Sequence, residues 1–255
     1  MTTPVDIYEK IYNEAKEDPN IIGFFLGGSR GKGFETNYSD YDTYIIVKDS
    51  VIEQYKEKYP FREYSGLDLI VFSFSEFENY APWGSPEMWA RYSFVHVKAL
   101  IDKNGKIQQI LDELAKVPEE HLSNFIAGSL DACINSVYRS LKCFRDGNIE
   151  AARLEAALSI PGFLNVIFAI HNGRLRPYYK YLKWELETFP LIKIPLDAEQ
   201  TFNMLMKISG SADLKAQQLL LGVTEEILRK EGYGYVFESW GDDYHWMKNF
   251  VPQKE

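Results

Sequence analysis

Cysteine is scarce: two stand among 255 residues, Cys133 and Cys143. They lie ten residues apart in one helical pattern, about 15 Å along a helix axis and too far for a disulfide. Both are expected as free thiols. The four histidines, His96, His121, His171 and His245, form no ligand spacing, and a zinc site is not indicated. Basic side chains are outnumbered, since 28 Lys and Arg against 37 Asp and Glu give a net charge of −9. That balance argues against a nucleic-acid partner, because binding a phosphate backbone draws on clustered cations. An acidic pocket would suit a cationic or neutral small acceptor. No stretch reaches the roughly 18 uninterrupted apolar residues of a membrane span, and the start Met1-Thr2-Thr3-Pro4-Val5-Asp6 has no basic segment followed by an apolar run. A cytoplasmic protein with no membrane partner is the expectation.

What is present is ample material for a core, with 45% hydrophobic residues and 15% aromatics in a chain long enough for one large domain or two small ones. The most informative stretch is 21–48. Ile21-Ile22-Gly23-Phe24-Phe25-Leu26 reads as a strand that stops at Gly27-Gly28-Ser29, where two glycines permit a sharp turn with its amides exposed. A second strand follows Ser39-Asp40-Tyr41-Asp42. Its period of two points Asp40 and Asp42 the same way. Like charges on one face repel, and a divalent cation bridging them, magnesium by the hardness of the oxygen ligands, relieves that. Asp-x-Asp alone is common at strand starts and turns. Its order and spacing after a glycine turn give it weight, since amides for phosphates beside carboxylates for magnesium are the minimum equipment for chemistry on a nucleoside triphosphate.

Gly27-Gly28-Ser29-Arg30-Gly31 followed by Ser39-Asp40-Tyr41-Asp42 and an apolar run resembles the signature of the polymerase-β-like nucleotidyltransferase superfamily over roughly residues 20–115. The resemblance implies a third carboxylate on a later strand. Asp68 in Leu67-Asp68-Leu69-Ile70-Val71-Phe72 is the candidate, the one charge in an otherwise apolar pattern.

Along the rest of the first half, residues 3–17 have helical spacing, 51–59 form a charged amphipathic helix, and 67–74 form the strand bearing Asp68. Ser75 with Glu78 reads as the cap of a short helix to Tyr80. The segment 82–86 is a loop, Phe94–Ile101 another strand, 102–105 a turn, and 106–116 a helix. Trp83 and Trp89 could stack on a sugar or base, with packing the blander alternative. From Pro118 the pattern turns helical: a long amphipathic helix to about 146–148, then 149–171 apolar almost all round, 178–188, 198–209 and 212–231. The glycine- and aromatic-rich 232–241 could fold over the bundle or serve a dimer or ligand surface.

The predicted class is therefore α+β: a small mixed-sheet domain, 1–117, followed by an α-helical bundle, 118–255. This plan is similar to the nucleotidyltransferases that modify aminoglycoside and lincosamide antibiotics. That resemblance implies transfer of AMP from ATP to a hydroxyl of a small acceptor, with release of pyrophosphate. Asp40 and Asp42 would hold two magnesium ions, and Asp68 would complete the inner site and help deprotonate the hydroxyl. Gly28, Ser29 and Arg30 are the phosphate candidates beside the turn. Lys180 and Lys183, among tyrosines, with Arg139 and Lys142, are the candidates from the helices. Glu155, which with Arg153 interrupts the apolar helix, is the alternative general base, or one half of a structural ion pair. Monomer and homodimer are both compatible. Rival readings are transfer to a protein side chain, a non-catalytic nucleotide-binding module, and a helical scaffold.

Overall fold

A computed structural model describes residues 3–252. The chain divides into two compact units, Met1–Lys116 and Val117–Glu255.

In the first unit α1 (Pro4–Glu17) starts on a reciprocal Thr3–Asp6 cap with Pro4 in its first turn, where a missing N–H costs nothing. Then come β1 (Ile21–Leu26), the single turn α2 (Gly28–Gly31), β2 (Tyr41–Val47), α3 (Ile52–Lys58), β3 (Leu67–Ser73) and α4 (Phe74–Glu78). A 3-10 helix (Pro86–Phe94), β4 (Ala99–Asp102) and α5 (Ile107–Leu114) complete it. The sheet order is β3-β2-β1-β4. β2 and β3 run parallel, while β1 is antiparallel to both β2 and β4. This is the mixed sheet expected from the sequence.

Strand parity assigns the faces. Ile45 and Val47 of β2 and Leu67, Leu69 and Val71 of β3 are buried with Ile11 and Ala15 of α1 and Tyr55 of α3. The alternate residues Tyr44, Ile46 and Phe72 pack on the other side with Phe25, Phe77, Phe94 and the apolar face of α5. Asp42 and Asp68 have the parity of this second face, beyond the point where its apolar cover ends.

Two local expectations are corrected. The short helix is capped by Ser73, not Ser75: Ser73 Oγ accepts from the Glu76 amide and Glu76 returns a carboxylate to the Ser73 amide. Ser75 is instead bound through its amide and hydroxyl to Asp49. The strand expected at Phe94–Ile101 is confined to Ala99–Asp102. Phe94 closes the 3-10 helix, and His96 stands in the left-handed region at φ 64°, which an extended run does not accommodate. The buried ammonium of Lys32 holds this corner, donating to the carbonyls of Tyr92, Ser93 and Val95.

The second unit contains α6 (Glu119–Arg145), α7 (Ile149–Ala169), α8 (Tyr179–Thr188), α9 (Ala198–Ser211), α10 (Leu214–Lys230), α11 (Gly234–Ser239) and α12 (Gly241–Asn249). Asn148 caps α7. Ser140 of α6 bonds the Ala152 carbonyl, and Gly162 lies against Ser129 and Cys133, so the two helices run back along one another. A Cβ on Gly162 would stand 2.8 Å from the Ser129 carbonyl oxygen, so glycine sets how closely they approach. Burial pushes the Cys133 thiol up to about 12, as for a packing residue rather than a nucleophile. Among the described residues α7 alone is long and apolar enough to cross a membrane by length and composition, yet 56% of its most apolar window is buried within the protein. It serves as a core helix. The glycine- and aromatic-rich end forms α11 and α12, which add Phe237, Tyr244 and Met247 to the same core.

Candidate functional site

The site is built where β1 stops and β2 and β3 begin. The amide of Gly27 donates to the Asp42 carbonyl at 2.8 Å, extending the sheet pairing by one residue. Gly28 then turns into the left-handed region at φ 55°, and a Cβ there would fall 1.8 Å from Asp42 Oδ2. Only glycine fits, since any side chain would enter the volume of the carboxylate. The chain continues into α2, closed by the Gly31 amide on the Gly27 carbonyl at 2.8 Å, so the exposed turn expected from the sequence is one short helical turn.

Arg30, on that turn, positions the start of β2. Its Nε and Nη2 donate to the Ser39 carbonyl at 3.2 and 2.8 Å, and Nε also to that of Asp40 at 3.1 Å. The guanidinium lies over the Tyr41 ring at 4.0 Å. Expected as a phosphate ligand, Arg30 is engaged here by main-chain oxygens. Its effect is to fix Asp40. Ser29 anchors the following loop through its carbonyl, which accepts from the Phe34 amide at 2.9 Å.

In the parallel register Asp42 stands directly opposite Asp68. One carboxylate oxygen from each of Asp40, Asp42 and Asp68 lies within 4.8 Å of the others. Asp40 is exposed, and Asp42 and Asp68 are half-buried. Arg62 approaches from the connection between α3 and β3, its Nε 3.9 Å from Asp68 Oδ2. On the Asp40 side a groove of about 350 Å³ opens between Pro4 and Val5 at the start of α1 and the loop bearing Asn37 and Tyr38. Tyr38 is 99% exposed.

The remaining candidates belong to the second unit. Glu155 stands 3.0 Å from Arg139 Nη2, the structural ion pair that was one of its two expected roles. Arg153 is exposed. Lys142 Nζ sits over the Tyr138 ring at 5.0 Å, Lys180 Nζ over the Tyr181 ring at 4.7 Å, and Lys183 lies 3.8 Å from Glu187. Both Lys180 and Lys183 are exposed on α8. Trp89 is exposed and Trp83 half-buried beside Arg91.

Two residues around the site were not legible in the sequence. Arg62 stands among polar loop residues that carry no periodic signal, and Lys32, between two glycines, reads as an ordinary surface cation. Gly31-Lys32-Gly33 gave one hint, since a lysine flanked by glycines in a tight turn has few directions for its stem.

No family model matches the chain, and no curated protein does. Among solved structures, a nucleotidyltransferase-like protein from Exiguobacterium sibiricum is similar over 92% of this chain and 78% of its own, at 13% identity and a TM-score of 0.44. A likeness of that size carries no argument about chemistry, which rests on the side chains above.

Proposed function

We propose that the chain is a magnesium-dependent nucleotidyltransferase that moves AMP from ATP to a hydroxyl of a small acceptor. One observation carries this reading: three carboxylates from two segments converge within 4.8 Å beside a glycine whose missing side chain leaves room for one of them.

The donor set fits divalent cations. At such a separation the charges of Asp42 and Asp68 repel by about 3.5 kcal/mol or more at an effective dielectric of 20. Arg62 is too exposed to offset that alone, with 74% of its side chain in solvent. Three hard oxygens with two half-buried members suit magnesium. Asp40 and Asp42 would hold a pair of ions and Asp68 would share the inner one. Bound there, the ions would lower the pKa of the acceptor hydroxyl and neutralise the triphosphate.

The protein's own part is placement. In the transfer the acceptor oxygen bonds to the α-phosphorus, the bond to the β-phosphate oxygen breaks, and pyrophosphate leaves. The hydroxyl proton passes to a carboxylate, for which Asp68 is the proposed acceptor. The main chain of Gly27 and Gly28 lies against Asp42, and together with Ser29 it is proposed to receive the phosphate chain. Arg30 holds Asp40 in register.

The groove beside Asp40, with the ring of Tyr41 and the exposed Tyr38, is proposed for the acceptor. An aminoglycoside or lincosamide is the class tried first, and a cytoplasmic setting would supply the triphosphate. A panel of triphosphates against such acceptors and other polyols, read by pyrophosphate release with magnesium, tests the proposal. Release is expected with at least one pair, and Asp42→Asn should lower it by about a hundredfold or more. Near-normal turnover in that variant would remove the carboxylates from the chemistry.

A further inference from the structure

We propose that Arg62 is a displaceable counter-ion of this site, neutralising Asp68 until a divalent cation takes that carboxylate and then turning to the phosphates of the bound triphosphate. The inference rests on the nucleotidyl-transfer reading above.

The geometry is that of a loose partner. Arg62 Nε stands 3.9 Å from Asp68 Oδ2, within ion-pair range but outside hydrogen-bonding distance. The contact is Coulombic and leaves the guanidinium's donors unspent on Asp68. The two ends of the pair also differ in environment, 74% of the Arg62 side chain being exposed against 24% of Asp68. The guanidinium therefore comes to the carboxylate from solvent, the side from which a nucleotide must also arrive. It rests over the ring of Phe61 at 4.8 Å, an aromatic that is itself exposed.

The backbone adds a second observation. Arg62 occupies the left-handed region at φ 60°, which side chains other than glycine adopt with strain and which functional positions often retain. Gly66, at φ 78°, ends the same connection just before Leu67 pairs with Tyr41 of β2.

Competition follows from chemistry. A guanidinium and a hard cation seek the same lone pairs on Asp68, and a divalent ion shared by three carboxylates outcompetes one distant monovalent charge. The displaced guanidinium is planar and fork-shaped, and matches two phosphate oxygens better than an ammonium would. One side chain thus would hold the empty site together and help to fill it.

Calorimetric titration of manganese into the wild type, Arg62→Ala, Arg62→Gly and Asp68→Asn tests this, first without nucleotide and then with a non-hydrolysable ATP analogue at saturating manganese. Arg62→Gly keeps the backbone free of strain and separates charge from conformation. Both Arg62 variants are expected to bind manganese about two- to fivefold more tightly than the wild type, and the analogue about tenfold more weakly. Unchanged or weaker manganese binding in both variants, or wild-type affinity for the analogue, would overturn the proposal. Failure of the underlying reading looks different: wild type and Asp68→Asn would then bind manganese alike or not at all.

Discussion

Gly28 illustrates how one missing side chain organises the site. Its φ of 55° and the 1.8 Å from a hypothetical Cβ to Asp42 Oδ2 mean that alanine there would both strain the turn and push the carboxylate aside. Gly28→Ala is expected to destabilise the first unit by about 1–3 kcal/mol and to weaken manganese binding by more than about tenfold. Gly33 is the control. It has a similar φ of 69° with nothing within 4 Å of a Cβ, so Gly33→Ala should lose stability through the backbone and keep its cation affinity. Urea unfolding and manganese titration of the pair separate the two effects. Lys32 acts at the same scale from below. Lys32→Met would leave the carbonyls of Tyr92, Ser93 and Val95 without their shared donor, and should cost about 1–3 kcal/mol in urea unfolding. Unchanged stability would show that water satisfies them.

At the scale of elements, the strands and long helices were legible because period and length agree. The face shared by Asp42 and Asp68 and the apolar alternation around Asp68 follow from a pleat with period two, whereas Asp40 lies one residue before β2. The errors came where tertiary contacts overrode local signals. Ser75 and Ser73 are equally good caps on paper, and Asp49 of another segment decided between them. The run Phe94–Ile101 has strand composition, but Lys32, 60 residues or more earlier in the chain, gathers the carbonyls of Tyr92, Ser93 and Val95 into a corner at its start. In the site, the charge of Arg30 was legible, whereas the Ser39 and Asp40 carbonyls that it contacts were not.

His171 supplies a prediction at this scale. Its ring sits between α7 and the segment after α8, with Nδ1 2.7 Å from the Ile167 carbonyl and Nε2 accepting the Lys193 amide at 3.0 Å. A ring whose Nε2 accepts is neutral, with its proton on Nδ1. Burial, reinforced by Arg174 and Lys193 and opposed by the Ile167 bond and Glu231, holds its pKa below 6.5. The unfolded chain therefore takes up a proton first as pH falls. Its contribution is present above about pH 6.5 and is lost as pH drops from there towards the folded value. The thermal midpoint should fall between about pH 7 and pH 5, with a shallower slope in His171→Gln. Equal slopes would assign the acid sensitivity to other groups.

For the whole molecule, a mixed sheet followed by helices was readable from the change in pattern at Pro118. The three carboxylates singled out in the sequence come together in three dimensions, since Asp42 and Asp68 meet through the parallel β2–β3 register. On the proposed reading, the acceptor and the nucleotide base would be set by shape and by main-chain contacts, which no spacing encodes. The core claim is that these three acids jointly hold the cations of a bound triphosphate. Manganese binding followed by electron paramagnetic resonance, in the presence of a non-hydrolysable ATP analogue, tests it most directly. The wild type should sequester manganese, and Asp42→Asn and Asp68→Asn should each lose about tenfold or more in affinity; equal binding by all three proteins would contradict the claim.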